Sequence, residues 1–217
     1  MAIDQTQLAQ LIREAMQSVL ADTSSAPAAK PTPTAGNMRI DEIATAKKGT
    51  NPKEVVVGIS PNFYRGQTET IVDIPHADVV REIMAGIEEE GLSFRFVRVG
   101  HTADVAFVAH AAAKLSGSGI GIGVIARGTT VIHQRDLAPL SNLELFPQAP
   151  LLDRETFRAI GKNAARYAKG ESPDPVPVRN DQMARPRYQA VAALMHNKET
   201  QLVDLNSRPV ELKIEFR

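Results

Sequence analysis

With 217 residues, 25 basic and 25 acidic side chains and no cysteine, the chain has room for one medium domain with appendages and carries no net charge. That balance gives no electrostatic case for nucleic acid or for an anionic membrane surface, and the missing thiols exclude a disulfide framework, a thiolate metal site and a cysteine nucleophile. No stretch approaches the roughly 18 consecutive apolar residues of a membrane span, and the N-terminus lacks the basic start and apolar core of a secretory signal, so a cytoplasmic location is expected.

From Asp4, the spacing of Leu8, Leu11, Ile12, Ala15, Met16, Val19 and Leu20 predicts a short amphipathic helix over residues 1–21, with Asp4 and Gln7 as a capping box. A helix this short is marginal alone in water, so its apolar face calls for a protein partner. The Pro/Ala/Ser/Thr tract Ala21–Asn37 buries too little apolar area to fold, and a disordered linker is expected over residues 22–45. The globular domain is expected to occupy residues 46–217.

Glu54–Ile59 is a continuous apolar run that fits a strand buried on both faces, and Thr70–Ile74 fits a shorter one. Pro75 opens a helix with Val79, Val80, Ile83, Met84 and Ile87 on its inner stripe, ending near Gly91; the acidic run Glu88–Glu90 fits a solvated helix end. Phe94–Val99 reads as a strand, and Asp104 caps a helix through Val105, Val108, Ala112 and Leu115. The alternation of strands and helices predicts an α/β domain with a mostly parallel sheet.

The stretch Leu115–Leu152 is the most distinctive. Gly121-Ile122-Gly123-Val124-Ile125-Ala126 satisfies G-x-G-x-x-A, yet that motif holds a pyrophosphate only where a strand turns into a helix. Here Gly119, Gly121 and Gly123 alternate with Ile120, Ile122 and Val124 inside a strand, which leaves one face without side chains. Such a face admits ordinary close packing, a bulky flat ligand or a partner subunit. Arg127–His133 reads as a tight turn into a second strand. Asp153–Ala168 then fits a helix, Ser172–Val178 an extended connection, Asn180–Tyr188 an irregular polar segment, and Val191–Met195, Gln201–Leu205 and Val210–Phe216 late strands.

Catalytic patterns are missing. The five histidines form no short ligand pair, and Ser60, Ser116 and Ser118 stand in no G-x-S-x-G elbow. The pattern suits a subunit that binds rather than one that reacts.

Several strings together carry a resemblance: I-E-E-E-G at 87–91, D-V-A-F-V-A at 104–109, L-S-G-S-G-I at 115–120, G-T-T-V-I-H-Q at 128–134, P-L-S-N-L-E-L-F-P-Q-A-P at 139–150, G-K-N-A-A-R-Y-A-K at 161–169 and N-D-Q-M-A-R-P at 180–186. The chain resembles the medium (β) subunit of adenosylcobalamin-dependent diol and glycerol dehydratases, over nearly all of the globular part. The resemblance implies a heteromeric lyase in which a large barrel subunit holds the substrate, while the medium subunit, a Rossmann-like, three-layer α/β domain, covers the dimethylbenzimidazole side of adenosylcobalamin. It implies large and small dehydratase subunits as partners, in a dimer of heterotrimers, with a reactivating factor as a further one. The N-terminal helix and its tether resemble the tail by which some members enter a microcompartment through a shell protein.

The resemblance also implies a set of cofactor contacts. Asp104 would accept hydrogen bonds from corrin amides, Arg127 and Arg185 would pair with the nucleotide phosphate, Thr129 and Asn142 would add polar contacts, and Leu145 and Pro147 would touch a ring. Familiar members carry Lys where this chain has Arg127. The base-off signature D-x-H-x-x-G is missing, which implies that the cofactor keeps its own base on cobalt. The same fold is also resembled by the small subunit of the dehydratase-reactivating chaperone, which swaps against the medium subunit. That subunit is much shorter and lacks the tethered helix and the segments 139–150 and 180–186, so length favours the dehydratase subunit. A third expectation is a scaffold that only anchors cargo to a shell. The preferred diol is not legible, because its contacts lie in another chain.

Overall fold

A computed structural model describes residues 38–216. The segment read as a targeting helix and the linker up to residue 37 lie outside the described residues. The last eight residues assigned to that linker are ordered chain instead: Met38–Thr45 forms β1, with Met38 and Ile40 buried at alternate positions. Their polar neighbours hide this period-2 pattern in the sequence.

The remaining elements are β2 (Glu54–Ile59), α1 (His76–Glu89), β3 (Ser93–Arg98), α2 (Val105–Leu115), β4 (Ile120–Val124), β5 (Thr130–Gln134), β6 (Glu144–Phe146), a 3-10 turn at Ala149–Leu151, α3 (Arg154–Ala168), α4 (Ala184–Thr200) and β7 (Val210–Phe216). They build one seven-stranded sheet in the order β1-β7-β3-β2-β4-β5-β6. The mostly parallel sheet expected from the strand-helix alternation is corrected here. Only β3-β2 and β2-β4 pair in parallel, and the other four pairings are antiparallel. The reason is connection length. Two helical crossovers fill the centre, while β4, β5 and β6 follow one another through short links, which return antiparallel.

Three further expectations change. Thr70–Ile74 closes on itself as a turn, Thr70 N donating to Ile74 O at 2.9 Å with Asp73 at φ 59°, instead of forming a strand. Val191–Met195 lies within α4, and Gln201–Leu205 forms turns. A five-residue apolar run does not separate strand from helix, and the Ala and Met of this one favour helix.

The two faces of the sheet are covered differently. Helices α1 and α3 close the main core over Val55, Val57, Ile122, Val124 and Ile132. They cross at bare backbone: a Cβ on Gly86 would lie 2.1 Å from Arg158 O, and one on Gly161 2.4 Å from Ile83 O. Ion pairs flank the crossing, from Asp78 to Arg154, Glu82 and Glu89 to Arg158, Glu89 to Lys162, and Glu90 to Arg166 and Lys169. Glu89 and Glu90 therefore pair with α3 rather than form only a solvated end, and hydrogen bonds from Arg158 and Lys162 hold Glu89 down to about 2.

Helix α2 covers the opposite face. It lies on a floor of Gly58, Gly121 and Gly123, where added Cβ atoms would meet Val108 O at 3.0 Å, Ala113 N at 2.3 Å and Ala109 N at 2.5 Å. The side-chain-free face read from the sequence is thus filled by the chain itself. Substituting Gly121→Ala is expected to force α2 off the sheet and to lower stability by about 1–3 kcal/mol, read as a drop in the urea midpoint with an unchanged slope.

Candidate functional site: the carboxyl edge of the parallel strands

In an α/β sheet the crevice outside the carboxyl ends of parallel strands, at the point where consecutive crossovers leave in opposite directions, is the usual place for a ligand. In this chain that point lies between β2 and β4, and it is plugged by the protein's own groups. Glu199, 2 % exposed near the end of α4, accepts from Asn62 N at 2.8 Å and from Ala126 N at 3.0 Å. Ser60 Oγ also accepts from Ala126 N, at 3.1 Å. A carboxylate thus takes the two backbone donors that an anionic ligand would otherwise use.

The counter-charge comes from Arg98, at the end of β3 and 5 % exposed. Its Nη1 donates to the carbonyls of Ser60, Pro61 and Phe63, and its Nε to Glu42 Oε1 at 2.9 Å. Burial pushes this guanidinium down to about 10. His76 completes the group. Tyr64 N–H donates to His76 Nδ1 at 3.1 Å, so Nε2 carries the proton and donates to Ala126 O at 2.7 Å, with the ring stacked on Phe63. Burial lowers His76 to about 4, with the nearby Arg98 charge acting in the same direction and the backbone hydrogen bond to Ala126 opposing it.

The residues expected to bind a cofactor divide into three groups. Asp104, Arg127 and Thr129 share this edge: Asp104 caps α2 by accepting from Ala106 N and Phe107 N, and Arg127 Nε donates to Thr129 Oγ1 at 3.0 Å. Arg127 is half-buried, and burial lowers its pKa against the opposing pull of Glu199 and Asp104. Asn142, Leu145 and Pro147 lie in and around β6, with Leu145 and Pro147 exposed. Arg185 is an exposed residue in the first turn of α4. Glu199, Arg98 and His76 were not singled out in the sequence. Glu199 stands in the polar run N-K-E-T and Arg98 in an alternating strand, patterns that ordinarily signal exposure.

The motif residues that carried the resemblance have structural partners as well. Ser116 and Ser118 hydroxyls donate to Glu54 O at 2.8 and 2.6 Å. Glu144, 6 % exposed, accepts from Asn163 Nδ2 at 2.9 Å and from Val176 N at 2.8 Å, and a hydrogen bond to it helps raise Tyr167 to about 12, burial being the larger cause. Asp181 Oδ1 accepts from Met183 N at 2.8 Å to start α4. A cleft bounded by Phe146, Leu152, Thr156 and Arg179 has a volume of about 10 Å³, room for one water at most. Among the described residues no group of three or more His, Asp or Glu side chains is placed to hold a metal, and no helix is long and apolar enough to cross a membrane.

A family model described as "Dehydratase medium subunit" matches residues 60–174, more than half of the chain. The chain belongs to the dehydratase medium subunit family. Within that family the expected role is corrected by a curated relative, the propanediol dehydratase-reactivating factor small subunit of Citrobacter freundii, which is 37% identical over 93 residues, 43% of this chain and 77% of the relative. Two solved structures also resemble parts of the chain. A glycerol dehydratase reactivase is 22% identical, with 58% of this chain and 96% of the other covered and a TM-score of 0.45. A diol dehydratase-reactivating factor complexed with ADP and Mg2+ is 28% identical, with 58% and 95% covered and a TM-score of 0.40.

The reading as a medium subunit of a working lyase is therefore overturned, since the curated relative is a reactivating-factor small subunit. The physical reason is that the strings behind it specify packing: the Asp104 cap, the Ala109 contact with Gly123, the Gly161 contact with Ile83 O and the Asn163–Glu144 bond. Packing is what a dehydratase subunit and a reactivating subunit of one fold have in common.

Two outcomes follow for this edge. Because His76 is depressed in the folded state, the unfolded chain takes up its proton first, so stability is intact above pH 6.5 and is lost as pH falls toward 4. Up to about 3 kcal/mol is at stake, and His76→Gln should flatten this part of a stability-versus-pH curve measured by urea unfolding. Glu199→Ala leaves Asn62 N–H without its acceptor and should cost about 1–3 kcal/mol. Faster hydrogen exchange across α4 is the accompanying readout.

Proposed function

We propose that the chain is a small-subunit-type component of a dehydratase-reactivating factor, a non-catalytic protein that joins a larger chaperone subunit and exchanges against the medium subunit of a dehydratase. The observation that carries this reading is the 37% identity to a reactivating factor small subunit across 77% of that relative's length. The site geometry supports it. The buried ionisable groups Arg98, His76, Glu144 and Glu199 each spend their hydrogen bonds on backbone or structural partners, and such a set orders loops rather than turning over a substrate. The G-x-G-x-x-A string supports no nucleotide role for this chain, because two of its glycines lie under α2.

The test is a reactivation assay. Diol dehydratase inactivated with cyanocobalamin is incubated with adenosylcobalamin, MgATP and the large subunit of a reactivating factor, with and without this chain, and aldehyde formation is followed. Recovery that depends on the chain is the expected result. Failure to recover, or aldehyde formation by a dehydratase rebuilt with this chain in place of its own medium subunit, would overturn the reading.

A further inference from the structure

Helix α4 is 17 residues long, yet only Ala184 and Glu199 of it are buried. A helix of this length is marginal alone in water and ordinarily owes its stability to an apolar face pressed on a core. Here its ends are pinned instead, by Ala184 and Asp181 at the start and by the Glu199 carboxylate near the finish. The stretch from Met183 to Leu205 holds five of the ten large apolar side chains left exposed in the described residues: Met183 at 65 %, Val191 at 47 %, Leu194 at 64 %, Leu202 at 43 % and Leu205 at 82 %. The family match ends at residue 174, so this segment lies outside the matched range.

Charge along α4 is one-sided, although the chain as a whole is neutral. Arg185, Arg187 and Lys198 are exposed, Glu199 is the helix's one acid and is buried, and none of the three cations makes an ion pair among the described residues. Arg187, Val191, Leu194 and Lys198 follow at steps of four, three and four, which places them on one flank of the helix with an apolar centre and a cation at each end. Elsewhere on the surface the arginines of α3 are paired with glutamates of α1, which shows by contrast that the α4 cations lack local partners.

We infer that this flank of α4 is the docking face for a larger protein subunit whose surface presents an apolar strip flanked by carboxylates. The inference rests on the proposed role, which supplies the probe: the large subunit of a dehydratase-reactivating factor. Association buries Val191 and Leu194 and pairs Arg187 and Lys198, so affinity depends on apolar contact while encounter depends on charge.

The experiment titrates the full-length chain with that large subunit by isothermal calorimetry at low and high sodium chloride, with sedimentation of the chain alone as a second measurement. Leu194→Asp should weaken binding by about 30-fold or more, and the pair Arg187→Glu and Lys198→Glu should weaken it and remove most of its salt dependence. Ile43→Asp, on β1 at the far edge of the sheet and 61 % exposed, should bind as the parent does. All these side chains are exposed, and unchanged thermal unfolding verifies that each variant is folded. If the parent binds and Leu194→Asp binds equally well, the docking face is elsewhere while the proposed function stands. If the charge-reversed variant binds more tightly, the partner strip is basic and the inference is wrong. A concentration-dependent dimer that Leu194→Asp abolishes would make a second copy the occupant and overturn it. No binding by the parent removes the proposed function and this inference together.

Discussion

The buried carboxylate of Glu199 is the joint on which the carboxyl edge depends. It gathers the amides of Asn62 and Ala126, which follow β2 and β4, and ties both to a helix more than 50 residues further along the chain. A buried carboxylate is costly unless hydrogen-bonded and balanced. Both conditions are met: two backbone donors hold it, and Arg98 and Arg127 place positive charge within its field. Arg98 in turn gathers three carbonyls of the loop after β2, those of Ser60, Pro61 and Phe63, and so fixes the path of residues 60–64. His76 stays neutral in this setting, as the direction of its pKa shift requires, and closes the network onto Ala126. The same groups that would make a ligand crevice are consumed in closing it.

Closure of the opposite side has a different origin. Gly58, Gly121 and Gly123 form a floor on adjacent strands, in register through the Val56–Gly121 and Gly58–Gly123 pairings. Helix α2 answers with Ala109, Ala112 and Ala113, so small residues face small residues and backbones approach closely. The glycine alternation in β4 was legible in the sequence as a bare face. What filled it was not, because the partner residues are Ala in a helix that begins 15 residues earlier. An alanine stripe carries no signal beyond helix propensity.

Legibility elsewhere follows the same logic. Elements with a strong period and a cap stood out: α1 behind Pro75, α2 behind Asp104, α3 behind Asp153, whose side chain accepts from Thr156 N at 2.8 Å. Elements defined by distant partners did not. β1 needs β7 to be a strand, and β7 is more than 160 residues away, so the polar alternation of Met38–Thr45 read as linker. The functional assignment erred by a related route. Strings such as D-V-A-F-V-A and G-K-N-A-A-R-Y-A-K are specific, but what they specify is a cap, a glycine crossing and the Asn163–Glu144 bond. Residues that encode packing identify a fold, and a fold by itself leaves the task undecided.

The described surface therefore concentrates its unspent interactions on α4. Elsewhere most cations on helices are paired across the α1–α3 contact, whereas α4 and its flanks leave half of the exposed large apolar side chains and three cations in solvent while the helix anchors itself through a single internal charge. Such a helix is stable enough to be present before association and incomplete enough to gain from it, because the ordering cost is largely met by Glu199 and Asp181 before any partner arrives. Pre-ordering of this kind favours fast, reversible docking over folding upon binding. The proposed role, in which the chain takes a place in one complex and leaves it again, uses that combination.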